Sequence, residues 1–269
     1  MSCLNCKSVK IKKKFISLYK SIKYSICGDC GCHYQNPLIN YDYKEDTFWQ
    51  NNQIDPDGKE RNHIHERDFK LKNWYGETVN YINSFQNVSI LDVGCGLGYF
   101  LSALNNKIQK YGIEESEFAL NFIKKNFSNV KTFKGSFEIL PKINQKFDFV
   151  MLYHVIEHLY EPEQCIQFIK NKLKKDGILI LGTPQVDTLI SNFFGGNYRL
   201  YNTSHPILFN FKSLKNLLET NSFEIFKIEK PFWKTDYCTT KNLLKVLNPF
   251  KLSPPFYGSI ITVYAKLRS

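Results

Sequence analysis

The segment Asp92-Val93-Gly94-Cys95-Gly96-Leu97-Gly98 joins a carboxylate to three glycines at alternate positions. Such glycines let a backbone turn sharply and approach a ligand with no Cβ in the way. The spacing is G-x-G-x-G. A dinucleotide-binding loop would read G-x-G-x-x-G, and Tyr99 stands where its third glycine would fall. The acid ahead of the glycines suits a ligand carrying an ammonium group. A helix start behind them favours a carboxylate or phosphate. S-adenosylmethionine has both an α-ammonium and an α-carboxylate. Glu114, twenty residues past Gly94, closes a second apolar run. In a βαβ unit an acid there reaches ribose hydroxyls.

A second group of residues offers soft metal ligands. Cys3-Leu4-Asn5-Cys6 and Cys27-Gly28-Asp29-Cys30 are two C-x2-C pairs separated by twenty residues. Each pair makes a tight turn that aims two thiolates at one centre. Two pairs complete a tetrahedral Zn2+ site on Cys3, Cys6, Cys27 and Cys30. Cys32 and His33 lie close enough to replace one of the four. A four-cysteine site has no open position, so the zinc reads as structural, folding a segment with few large apolar residues.

These groups need elements to hold them. Residues 88–91 are a short apolar, β-branched run that suits a buried parallel strand, with Asp92 at its end. Leu97, Phe100, Leu101 and Leu104 then repeat at helical spacing, and residues 110–114 read as the next strand. Phe69, Trp74, Val79 and Ile82 predict a covering helix over about 66–85. Pro162 opens a helix with the face Ile166, Ile169, Leu173, stopped by Lys174, Lys175 and Gly177. Residues 178–181 form a buried strand. Asn210 or Ser213 caps a helix bearing Leu214, Leu217 and Leu218, and 223–228 and 257–266 complete the sheet. The predicted organisation is a zinc module over 1–37, a polar linker over 38–65 and an α/β domain over 66–269. Within the last, about 185–212 is rich in aromatics (Phe193, Phe194, Tyr198, Tyr201, Phe209) and reads as a substrate lid. Ligands bind at the carboxyl ends of strands in open α/β sheets, where such a lid would sit.

Asp92 to Gly98 resembles the first motif of the class I S-adenosylmethionine-dependent methyltransferases, and Tyr111-Gly112-Ile113-Glu114-Glu115-Ser116 resembles their second. Phe133-Lys134-Gly135-Ser136-Phe137-Glu138 is similar to the segment flanking the adenine, with Ser136 where many members carry Asp. Phe147-Asp148-Phe149-Val150 resembles their fourth strand, and His154-Val155-Ile156-Glu157-His158-Leu159 the segment beside the transferring methyl. The resemblance spans roughly 75–230, in order. It implies a Rossmann-like α/β fold: a seven-stranded sheet, last strand antiparallel, helices on both faces, preceded by a small zinc ribbon. It also implies cofactor contacts from Asp92, Gly94, Cys95, Gly96, Gly98, Glu114, Ser136, Phe137, Tyr153 and His154. The run from Cys27 to Pro37 is similar to the end of the zinc ribbon that precedes some sugar methyltransferases.

Methyl transfer to a hydroxyl needs a group to take the proton, and a neutral imidazole does this well near pH 7. The candidates, in order, are His205 in the lid, His154, and His158, with His154 and His158 expected on one helical face and Glu157 placed to orient one of them. In the sugar C-methyltransferases the lid carries Tyr-His-Glu-His ahead of Tyr-Phe. Here Pro206 stands where the Glu would be, which favours O-methylation.

The chain has 269 residues and a net charge of +11, yet only Arg61, Arg67, Arg199 and Arg268 are arginine. Base and phosphate readout favours arginine's planar fork, so a lysine surface argues for an anionic small acceptor or glycan rather than nucleic acid. The expected acceptor is a sugar of a surface glycan or its nucleotide-linked precursor. The alternatives are RNA held by the zinc module and a small quinone-type metabolite. Lys10, Lys12, Lys13 and Lys14 read as a solvated face. The sequence contains no apolar run long enough for a membrane span, and residues 1–24 lack a signal peptide's apolar centre, so a cytoplasmic location is expected.

Overall fold

The computed structural model describes residues 1–17, 21–40, 67, 71, 75–230, 240, 244, 246–254 and 260–268. In chain order its strands are β1 (Ile11–Ile16), β2 (Lys23–Cys27), β3 (His33–Gln35), β4 (Ser89–Val93), β5 (Gln109–Glu114), β6 (Val130–Lys134), β7 (Phe147–Tyr153), β8 (Leu173–Pro184), β9 (Ile207–Leu208), β10 (Phe223–Glu229) and β11 (Ile260–Leu267). Its α-helices are α1 (Gly76–Asn83), α2 (Tyr99–Ala103), α3 (Glu117–Asn126), α4 (Pro162–Lys172), α5 (Leu189–Phe194) and α6 (Phe211–Thr220).

Seven strands form one sheet in the order β10-β11-β8-β7-β4-β5-β6. The strands from β8 to β6 run parallel, and β11 is antiparallel to both β8 and β10. Side chains alternate across it, as the pleat requires. Leu91, Val93, Val150, Leu152, Leu179, Leu181 and Val263 face one side, where Cys165, Ile166 and Ile169 of α4 and Leu214, Leu217 and Leu218 of α6 cover them. Ile90, Phe149, Met151, Ile178, Ile180 and Tyr264 face the other, with Ile82 of α1, Phe100 and Leu101 of α2, and Ile123 of α3. Burial on both faces explains why the central strands read as unbroken apolar runs.

Several boundaries differ from expectation. The covering helix is α1, with Ile82 buried; Phe69 and Trp74 lie outside the described residues, as do 41–65 of the expected linker. The helix behind the glycine loop is only five residues long. α4 stops at Lys172, and Asp176 turns the chain at a φ of 65° ahead of residue 178. Asn210 and Ser213 act together: each side chain accepts from the other's backbone N–H, at 2.8 and 3.0 Å, a reciprocal capping box for α6.

The second sheet joins distant parts of the sequence, in the order β1-β2-β3-β9, all antiparallel. Its fourth strand comes from the aromatic stretch, with His33 opposite Leu208 and Tyr34 opposite Ile207. Ile22, Tyr24, Val186, Phe194, Tyr198, Tyr201 and Leu208 share one buried cluster. Polar bonds fasten the same seam. The Tyr24 hydroxyl donates to the carbonyls of Asn202 and His205 (3.0 and 2.9 Å), and Gln35 Nε2 to those of Asn202 and Thr203 (3.0 and 3.1 Å). Lys12, Lys13 and Lys14 lie exposed on β1, an edge strand, where charge discourages further pairing.

Candidate active site

β4, β5 and β7 end side by side, with Val93 paired to Ile113 on one flank and Leu152 on the other. The glycine loop leaves from this edge. Gly94 has a φ of 76°, and a Cβ there would come within 2.5 Å of Val155 Cγ2. Only glycine lets the loop pass beneath the segment after β7. Gly96 donates its N–H to Glu114 Oε2 at 2.9 Å, while the N–H groups of Glu115 and Ser116 donate to Oε1 at 3.0 Å each. Glu114 thereby ties the loop after β4 to the exit of β5. Burial pushes its carboxyl up, and the three N–H donors pull against that.

Asp92 is in the opposite condition. It is 4% exposed and makes no hydrogen bond or ion pair among the described residues. Burial, reinforced by the charge of Glu114, pushes its carboxyl up to about 8. A buried carboxylate without a partner, next to a cradle that a Cβ would fill, fits a ligand that brings its own cation.

The remaining expected cofactor residues line the same edge. Gly98, at a φ of 73°, precedes α2, and Cys95 is buried with its N–H on the Ile113 carbonyl at 3.0 Å. Gly135 donates its N–H to the Glu114 carbonyl at 2.9 Å, which brings the exit of β6 to that of β5. Beyond it Ser136 Oγ accepts from Glu138 N at 3.3 Å, and the buried Phe137 ring lies 6.2 Å from Phe168. Tyr153 packs against Gly182 and against the ring of Tyr75 at 5.1 Å. The sequence did not single out Tyr75. Burial and the proximity of Tyr153 and Asp92 push its phenol up, which locates it beside the site. It precedes α1 by one residue, outside any periodic pattern that would have marked it.

The three histidines converge differently from expectation. His154 and His158 do not share a helical face, because the chain there makes only a single 3-10 turn, Ile156–His158. His154 instead sits at a φ of 56°, a strained left-handed conformation for a non-glycine residue. Its Nδ1 donates to Glu157 Oε1 at 3.0 Å. Glu157 is fully buried and accepts from Thr183 Oγ1 at 3.0 Å through its other oxygen. Burial pushes the Glu157 carboxyl up, but the His154 hydrogen bond and the nearby imidazoles outweigh it and hold the group at about 2. The rings of His158 and His205 lie 4.8 Å apart. Burial lowers both, and with His158 beside it His205 falls to about 3, so it stays neutral at pH 7 and is a weak proton acceptor.

The cysteines meet at the base of the small sheet. The sulfurs of Cys3, Cys6, Cys27 and Cys30 all lie within 4.8 Å of one another, with Cys3–Cys30 at 3.7 Å and Cys6–Cys27 at 3.5 Å. Four ligands at the usual Zn–S length of about 2.3 Å are ~3.8 Å apart, so the set fits tetrahedral zinc. Cys32 is the residue the spacing under-weighed. It is fully buried, with its sulfur 3.1 Å from Cys3 and 3.4 Å from Cys30. His33, the next residue, faces the opposite way and bonds through Nδ1 to the Tyr201 hydroxyl at 2.7 Å.

Comparison with known proteins follows the same lines. Residues 84–194 match a family described as a methyltransferase domain. A probable S-adenosylmethionine-dependent methyltransferase of Mycolicibacterium smegmatis is 27% identical over 137 residues, covering 51% of this chain and 52% of its own. A tRNA U34 carboxymethyltransferase of Pseudoalteromonas atlantica is 34% identical over 122 residues, covering 42% and 38%. The chain spans about half the length of the curated relatives it matches. In fold it is similar to a SAM-dependent methyltransferase from Archaeoglobus fulgidus, with a TM-score of 0.53 at 21% identity over 76% of this chain and 100% of that one. Among the described residues no helix is long and apolar enough to cross a membrane.

Proposed function

We propose that the chain is a class I S-adenosylmethionine-dependent methyltransferase that methylates a hydroxyl oxygen. The acceptor we favour is a sugar of a surface glycan or its nucleotide-linked precursor. The observation that carries the cofactor assignment is the pair of acids at adjoining strand ends. Asp92 is buried and, among the described residues, unpaired, whereas Glu114 is fixed by three N–H groups. The unpaired acid would receive the cofactor's ammonium, and the fixed acid would hold the ribose hydroxyls. When bound, the cofactor supplies an electrophilic methyl on a sulfonium.

For the proton, His154 is the best placed of the three histidines. Its Nδ1–H is held by the Glu157 carboxylate, which orients the ring and turns Nε2 away from that bond. This moves His205 from first place to a supporting one, because burial weakens it as a base. The aromatic stretch from Phe194 to Phe209, packed on the N-terminal sheet and carrying His205 against His158, would cover the acceptor and exclude water. Zn2+ on Cys3, Cys6, Cys27 and Cys30 would stabilise the small sheet to which that stretch contributes β9.

A second reading is RNA modification, favoured by the tRNA U34 carboxymethyltransferase relative and the exposed lysines of β1. Transfer of a labelled methyl group from S-adenosylmethionine to nucleotide-sugar and polysaccharide pools, compared with tRNA, separates the two. Label in the sugar pool is expected. Label confined to tRNA, with steeply salt-dependent binding, would replace the sugar reading.

A further inference from the structure

We infer that Glu157, His158 and His205 form a divalent-cation site of their own at the carboxyl ends of β7 and β8, built from different residues than the cysteine cluster. One carboxylate oxygen of Glu157 and a ring nitrogen of each histidine lie within 4.8 Å of one another. Three atoms each about 2.1 Å from one ion are at most ~4.2 Å apart, so only slight contraction would close the set.

The hydrogen bonds around the rings prepare them as ligands. His158 Nδ1 lies 2.7 Å from the Ser204 carbonyl, and His205 Nδ1 lies 2.7 Å from the Leu200 carbonyl. A carbonyl only accepts, so both Nδ1 atoms carry protons and the ligating electron pair is on Nε2. Asn202 Nδ2, 3.3 Å from His205 Nδ1, is the longer contact and does not change this. Metal-bound histidines show the same arrangement, with the distal N–H fixed by a backbone carbonyl.

Glu157 is prepared in the same way. Its two oxygens accept from His154 and Thr183, which leaves further lone pairs on each. The carboxylate is fully buried, and among the described residues no lysine or arginine pairs with it. A cation would supply the missing counter-charge.

The donor set of two imidazoles and one carboxylate suits Zn2+, Fe2+ or Co2+ rather than Ca2+. Three protein ligands leave coordination positions open. Resting on the O-methylation reading, the class of ligand for those positions is the acceptor's hydroxyl oxygens, because Val155 packs against Gly94 of the cofactor loop on the same edge.

The test uses the full chain with its cysteines loaded with Zn2+. Co2+ is titrated in and followed by visible absorption and calorimetry. One equivalent with imidazole-type d–d bands and no thiolate charge-transfer band is expected. His158→Gln and His205→Gln should each weaken that equivalent at least tenfold. Absence of the equivalent in the wild type, or unchanged affinity in both variants, overturns the site. S-adenosylhomocysteine binding, measured in the same samples, reports that the variants are folded. Its absence in the wild type would sink the methyltransferase reading and leave the metal result standing.

Discussion

Replacing Asp92 with Asn should stabilise the ligand-free chain while abolishing tight cofactor binding. The folded carboxyl is pushed up to about 8 from an ordinary value of 3.8. Between those two pH values the folded state keeps a proton that the unfolded state has released. Stability therefore falls as pH rises through this window, and the loss is complete above the folded value. At pH 7 the difference of about 3.2 units corresponds to a ceiling of ~4 kcal/mol. Asn carries no ionisable proton and escapes this loss. Asp92→Asn should thus gain on the wild type from pH 4 to pH 7, by on the order of 10 °C in Tm at the ceiling. Binding of a cationic cofactor requires the ionised carboxylate, so at pH 7 it should release about 0.9 proton. Calorimetry in buffers of different ionisation enthalpy reads that number directly. A wild type that releases no proton, or an Asn variant with the same pH–Tm curve, would refute the assignment of Asp92 as the unpaired cofactor acid.

Glu114→Gln removes the charge that accepts three N–H groups and should weaken S-adenosylhomocysteine binding by about 1.5–3 kcal/mol, read by calorimetry. Gly94→Ala forces a Cβ into Val155 at a left-handed φ; a cost of at least ~1–2 kcal/mol and loss of cofactor binding are expected, and a variant that binds normally would show that the loop has another path. Removing Zn2+ from the site proposed on Cys3, Cys6, Cys27 and Cys30 should raise amide exchange over 198–209, because β9 completes the small sheet beside the cysteines, whereas exchange in β4 and β7 should hardly change. Asn210→Ala removes a capping box and the contacts of Nδ2 with Gly31 O (3.2 Å) and Asp187 (2.9 Å); a loss of about 1–2 kcal/mol in unfolding experiments is expected.

The sequence alone determined the parts of this protein governed by local rules. Buried parallel strands must be apolar, so 88–91 and 178–181 announced the sheet. Glycines at 94, 96 and 98 are demanded by backbone that other residues do not readily adopt, as the φ values of 76°, 53° and 73° bear witness. Paired C-x2-C turns bring thiolates together almost irrespective of context, and all four sulfurs meet. What only the tertiary structure decided is long-range. That Asp92 is the unpaired acid and Glu114 the tethered one depends on which N–H groups surround each, not on their spacing. The pairing of β3 with β9 spans more than 170 residues and has no periodic signature. The His154–Glu157–Thr183 chain and the approach of His158 to His205 depend on one left-handed residue after β7 and on an aromatic stretch held by the N-terminal sheet. A helical-spacing rule applied to residues 154 and 158 failed there because the chain is not helical. Side chains meet where the folded backbone places them, and sequence spacing alone cannot supply that placement.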